Sequence, residues 1–207
     1  MKISGIEKQK KDKQRYNILI DGEFYTGLYE DTIFKFGLRI GDEISEKDIE
    51  DIKDYDEFNY AKTCAYRSLA YRQRSKKELI TKLKQKKISL PVIMKVIDLL
   101  EEQKYLNDED FAENFVKEKI KNKPSGKRTL IFKLQEKGIS KEISEDVTAK
   151  NYSAEDEYAA AAKLLTKYIK KGRFKDDYDK KSKCFRHLVS KGFNFDTANR
   201  LLSETEL

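Results

Sequence analysis

Three ten-residue stretches decide the fold: ITKLKQKKIS at 80–89, IFKLQEKGIS at 131–140 and FRHLVSKGFN at 185–194. Aligned, they share an apolar first residue (Ile80, Ile131, Phe185), a leucine at the fourth position (Leu83, Leu134, Leu188) and a lysine at the seventh (Lys86, Lys137, Lys191). Apolar side chains three apart lie on one face of a helix. Gly138 and Gly192 then stand where a left-handed residue closes a helix cheaply. The first copy has Lys87 there, at a cost of about 1 kcal/mol if the conformation is truly left-handed. Upstream, Tyr60-Ala61, Phe111-Ala112 and Tyr158-Ala159 open a preceding helix, and the leucine follows the aromatic by 23, 23 and 30 positions. The third copy thus carries seven extra residues, and the insertion is expected around the polar stretch 173–177.

Self-similarity of this kind marks a repeat architecture, and each copy reads as three helices. In the first copy Ala61, Cys64, Ala65, Ser68 and Leu69 form one face, Leu79, Ile80 and Leu83 the second, and Ile93, Val96, Ile97 and Leu100 the third. Ser75 and Glu78 form a capping box for the middle helix, and Asn107 with Asp108, Glu109 and Asp110 caps the helix that follows. No single copy buries much, so stacking is what stabilises the set.

The first fifty residues differ in texture. Tyr16 to Ile20 is β-rich, Asp21-Gly22 is a two-residue hairpin turn, and Glu23-Phe24-Tyr25 returns as a strand. Ile33, Phe34, Phe36 and Leu38 form an apolar cluster, Gly41-Asp42 turns the chain, and Ser45 caps a helix. The predicted fold is mainly α: three tandem three-helix, helix-turn-helix-like repeats in an elongated array behind a small unit containing a β-hairpin. The expected boundaries are 1–54, 55–105, 106–153 and 154–207, with residues 58–202 expected to fold without the first fifty.

The 207 residues carry a net charge of +7, with 39% charged and 38% hydrophobic residues, enough apolar surface for a folded chain. No apolar run reaches the length of a membrane span and residues 1–13 lack the apolar core of a signal peptide, so a cytoplasmic protein is expected. Cys64 and Cys184 stand apart as small buried hydrophobes, and with His187 as the one histidine no zinc set can form. Ser125-Gly126-Lys127-Arg128-Thr129 lacks the earlier glycine and the preceding strand of a phosphate loop. Asp108, Glu109 and Asp110 lack the glycine turn and distal glutamate of a calcium loop. No catalytic residue, metal or cofactor is expected.

Positive charge concentrates between residues 62 and 87, where ten basic side chains face one acid, Glu78. A solvated face usually mixes both signs, so a polyanionic or acidic partner is favoured. Three basic columns emerge from aligning the copies. Lys86, Lys137 and Lys191 sit in the last turn of each middle helix, where the dipole favours them. Lys76, Lys127 and Lys181, with Lys77 and Arg128 beside them, are read at the amino-terminal ends, where the dipole opposes positive charge and folding alone would not choose them. Lys82, Lys133 and His187 form the third. The candidate binding residues are therefore Arg72, Arg74, Lys76, Lys77, Lys82, Lys84, Lys127, Arg128, Lys133 and Lys181, with Lys77, Thr81 and Lys84 on one outward stripe whose neutralisation should spare the fold.

With these residues in place the chain resembles the RecX family, regulators of the RecA recombinase. The resemblance rests on Arg72-Gln73-Arg74-Ser75 before Glu78-Leu79, on Tyr105-Leu106-Asn107-Asp108 before Phe111-Ala112, on Gly126, Arg128, Ile131, Leu134 and Lys137-Gly138-Ile139, and on Lys191-Gly192-Phe193. Lys87 replaces the family's glycine, and Lys133 stands where members often carry an acid. The resemblance implies three three-helix repeats, no catalysis, and binding to RecA and its filament on single-stranded DNA, altering growth, ATP hydrolysis and strand exchange, usually by inhibition. It implies a role in DNA repair, homologous recombination and the SOS response, by a monomer with weak direct DNA binding. The competing reading is a DNA-binding protein, sequence-independent or sequence-specific, acting without RecA; against a sequence reader, lysine outnumbers the Asn, Gln and Arg of recognition helices.

Overall fold

The structure, a computed structural model, describes residues 1–10, 12–123 and 125–205. Strands β1 (Ile3–Lys8), β2 (Arg15–Ile20) and β3 (Glu23–Tyr29) form an antiparallel sheet in that order. Asp21 and Gly22 join β2 to β3 at φ 52° and 92°, the doubly left-handed turn whose twist suits a two-residue hairpin. β1 is an addition to the sequence reading. Its Ile3 and Ile6 are three apart, which breaks the strand period of two, and a bulge between Ile3 and Gly5 absorbs the extra residue. The apolar cluster at 33–38 becomes α1 (Glu30–Phe36), closed by Gly37 at φ 61°. Ile33 and Leu38 pack on the sheet's core, while Phe34 and Phe36 stay exposed.

Helix α2 (Glu46–Tyr71) starts on the Ser45 hydroxyl, which accepts from the Asp48 N–H. It runs unbroken past residue 55, so the boundary expected at 54/55 falls inside a helix. The reason is that α2 serves two interiors. Ile49 and Ile52 join Ile3, Ile18, Ile20, Leu28 and Ile44 in the core of the sheet unit, whereas Ala61, Ala65 and Ser68 are buried farther along the helix. Between them the buried Asp56 accepts from the Tyr29 N–H (2.8 Å) and the Thr32 hydroxyl (2.6 Å). Ending the helix there would strand backbone groups that the helix now satisfies.

Helices α3 (Lys76–Gln85) and α4 (Leu90–Glu102) complete the first repeat. The second comprises α5 (Asp108–Asn122), α6 (Lys127–Glu136) and α7 (Lys141–Asn151); the third comprises α8 (Ala154–Lys171), α9 (Asp177–Ser190) and α10 (Phe195–Glu204). The middle helices end as predicted, with Lys87, Gly138 and Gly192 at φ 61°, 89° and 83°. Asn107 accepts from the Glu109 and Asp110 N–H groups and caps α5. The extra residues of the third copy do not form one loop: they lengthen α8 and its connection and add a turn to the start of α9. Lys181 is consequently the fifth residue of α9 and not at its amino end, which corrects its placement beside Lys76 and Lys127.

The chain divides into two compact units, Met1–Arg72 with Leu79–Tyr105, and Gln73–Glu78 with the chain from Leu106 onward. In the second unit one continuous core runs through both repeats, from Phe111, Leu130 and Leu134 to Leu188, Phe193 and Leu201. Cys184 lies in it as a free, fully buried thiol pushed up in pKa by burial; Cys64 is free and half-buried. Among the described residues no helix is long and apolar enough to cross a membrane.

Candidate nucleic-acid interface

The basic middle helices are anchored at their amino ends, and the anchors decide what their cations can do. At the start of α3 the Ser75 hydroxyl accepts from the Glu78 N–H and donates to the Lys137 carbonyl (2.6 Å). The Lys76 N–H donates to Asp108 Oδ1 (2.7 Å), the Lys77 ammonium donates to the Glu136 carbonyl (3.1 Å), and Lys137 Nζ pairs with Glu78 (2.6 Å). The start of α6 repeats the arrangement. The Gly126 N–H and the Thr129 hydroxyl donate to the Lys191 carbonyl (2.9 and 3.0 Å), and the Lys127 N–H donates to Glu157 Oε1 (2.7 Å). The first two middle helices thus each point their amino end at the carboxyl end of the next.

This corrects the dipole argument for Lys76 and Lys77. Their own helix end opposes positive charge, but the carbonyl end of α6 lies against it and favours that charge. Folding does have a use for these lysines. Asp108 and Glu157, the acids that receive the helix N–H groups, were not singled out for this role by aligning the copies. They are out of register, Asp108 three residues before Phe111 and Glu157 one before Tyr158.

The candidate cations separate accordingly. Lys76 is half-buried, Lys77 is exposed but tied to Glu136, and Arg74 is half-buried with its Nε shielded from solvent and without a hydrogen bond. Arg72 is exposed at the carboxyl end of α2. Lys82 and Lys84 are exposed in the last turns of α3, and neither forms an ion pair among the described residues. On α6, Arg128 is exposed, whereas Lys127 and Lys133 are half-buried; Lys181 is exposed on α9. His187 is half-buried, its ring stacked 4.0 Å from that of Tyr168.

Alignment of the copies passed over Phe132. It faces solvent on α6 at a position that carries Thr81 and Arg186 in the other copies, and an aromatic in a variable, outward position was the available signal. Near the sheet, Tyr29 stacks on Tyr60 at 5.2 Å and burial pushes its phenol up to about 12, so it stays neutral. Among the described residues no group of three or more His, Cys, Asp or Glu side chains is placed to hold a metal ion. What the basic helices can do chemically is hold anionic oxygens by charge-assisted hydrogen bonds.

Four family models match the chain in order: the regulatory protein RecX N-terminal domain at residues 1–45, and the first, second and third RecX three-helix domains at 61–100, 107–147 and 155–202. Proteins named regulatory protein RecX are similar along nearly the whole chain. That of Bacillus subtilis is 34% identical over 99% of this chain and 77% of its own length, and that of Clostridium perfringens is 34% identical over 97% and 94%. A crystal structure of regulatory protein RecX superposes with a TM-score of 0.74 at 27% identity, covering 98% of this chain and 99% of the other. The RecX of Lactobacillus salivarius gives 0.67 at 25% identity over 72% of this chain and 97% of that one.

Proposed function

Because the chain belongs to the RecX family of regulatory proteins, we propose that it is a non-catalytic modulator of RecA, acting on the RecA filament on single-stranded DNA. In this reading it alters filament growth, ATP hydrolysis and strand exchange, with inhibition the usual sign. It works as a cytoplasmic monomer whose own affinity for DNA is weak and salt-dependent.

The observation that carries the proposal is the carboxyl half of α3. Lys82 and Lys84 are exposed there without an ion-pair partner among the described residues, and no acid follows Glu78 within the helix. Lys82 stands four residues before the exposed Lys86 and Lys84 three before the exposed Lys87, and like charges at these spacings repel one another, a repulsion that an anionic partner relieves. Arg74, by contrast, is half-buried and Lys77 is bonded to the Glu136 carbonyl, so neutralising them would confuse a structural effect with a functional one.

The test replaces Lys82 and Lys84 by glutamine, requires an unchanged melting temperature, and titrates both proteins into ATP hydrolysis by RecA on single-stranded DNA. We expect the variant to need at least about fivefold more protein for half its effect, a loss of about 1 kcal/mol. Superimposable titrations would remove this surface from the reading; no effect of the wild type on hydrolysis or strand exchange would remove the reading itself.

A further inference from the structure

Phe132 is 61% exposed, although its neighbours Leu130 and Leu134 on α6 are wholly buried and Ile131 is half-buried. Folding gains little from an aromatic ring left in water, and a single exposed ring alone would need no explanation. Its setting is what distinguishes it. Arg128 lies one turn earlier on the same face and is exposed, and α6 as a whole carries Lys127, Arg128 and Lys133 against one acid, Glu136. The preceding repeat adds positive charge at the carboxyl end, where the Lys77 ammonium sits on the Glu136 carbonyl.

We propose that Phe132 is a base-stacking platform for a single strand of nucleic acid, with the flanking phosphates held by Arg128 and the other cations gathered around α6. The two halves of the site match the two halves of a nucleotide. Every base offers a π-face whatever its identity, and every phosphate needs a cation, so a ring set among cations binds single strands without reading sequence. A protein surface seeking a phenylalanine anchor would meet more apolar neighbours than Arg128, Thr129, Gln135 and Glu136, the residues one turn away. Another exposed aromatic provides the contrast. Tyr178 is 85% exposed, but it stands between Asp177 and Asp179, whose charge repels phosphate.

The proposal rests on the reading above in taking single-stranded DNA as the ligand, and its test omits RecA so that the two fail separately. Binding is measured by fluorescence anisotropy on a mixed-sequence single strand of about 12 nucleotides and on the same strand with every base removed. The wild type is expected to bind the complete strand more tightly than the stripped one. Phe132→Ala should lose about tenfold on the complete strand and nothing on the stripped one, Phe132→Tyr should restore binding, and Tyr178→Ala should change neither. An unchanged melting temperature of Phe132→Ala verifies the fold. Equal losses on both strands, no loss on either, or a wild type that does not bind the complete strand would each overturn the proposal. If Phe132→Ala binds both strands normally but loses its effect on the RecA filament, the ring is a protein contact and the stacking role is wrong. Base-dependent binding without any effect on RecA would leave the stacking role standing and sink the RecA reading.

Discussion

Replacing Gly126 by alanine tests whether the second and third repeats are held together by direct backbone contact. At φ −64° and ψ 157° any residue could occupy this cap position, so conformational strain gives no reason for glycine. Space does. A Cβ built on Gly126 lies 2.1 Å from the carbonyl carbon and oxygen of Gly192 and from the nitrogen of Phe193. Non-bonded carbon atoms settle at about 3.5–4.0 Å, so the two backbones must part by roughly 1 Å or more. That movement stretches the bonds from the Gly126 N–H and the Thr129 hydroxyl to the Lys191 carbonyl, now 2.9 and 3.0 Å. Two hydrogen bonds at about 1 kcal/mol each, with about 1–3 kcal/mol for overpacking, give a loss of about 3–5 kcal/mol. Against a total stability of roughly 5–15 kcal/mol this is large, and at about 2–4 °C per kcal/mol it lowers the melting temperature by roughly 6–20 °C. Urea and thermal unfolding measure it, with Gly22→Ala as the control. Gly22 has φ 92° and open space around its Cβ position, so it should lose only about 1 kcal/mol. A loss at Gly126 below that at Gly22 would refute the reasoning.

Two further changes probe the repeats. Lys87→Gly should stabilise the protein by about 0.5–1 kcal/mol, because Lys87 closes α3 at φ 61°, where a Cβ is costly; a lower urea midpoint would contradict this. His187 should make stability sensitive to acid: burial first, and then the charge of Lys191, hold its pKa below the usual 6.5. The unfolded chain therefore takes up the proton more readily, so the contribution is fully present above about pH 6.5 and is lost as pH falls through the folded pKa. His187→Phe, which keeps a ring on Tyr168, should flatten that part of the unfolding profile, and an unchanged slope would assign the dependence to other groups.

The three-helix repeats could be read from the chain because their signals are local. Leu83, Leu134 and Leu188 mark one buried face per copy, Lys87, Gly138 and Gly192 mark the left-handed ends, and Ser45, Ser75 and Asn107 cap the helices that follow them. The Asp21-Gly22 hairpin was legible for the same reason, whereas β1 was not, because its apolar spacing makes sense only once the bulge and the partner strand are known. The boundary near residue 54 failed to coincide with a helix end because α2 is shared by two interiors, and no window of sequence shows which interior a residue joins. The basic residues show the limit most clearly. Their abundance and order are plain in the sequence, but a short stretch of chain sets Lys76 and Lys77 only against the dipole of their own helix. The carbonyl end of α6 and the carboxylate of Asp108, which change that judgement, come from residues thirty or more positions away. Gly126 is the same lesson in backbone form, since its dihedral angles would suit any residue and only the approach of Gly192 and Phe193 forbids a side chain. Conformational preference acts over a few bonds and is written in short stretches of sequence; charge and steric exclusion act through space, and space is assigned by the tertiary fold.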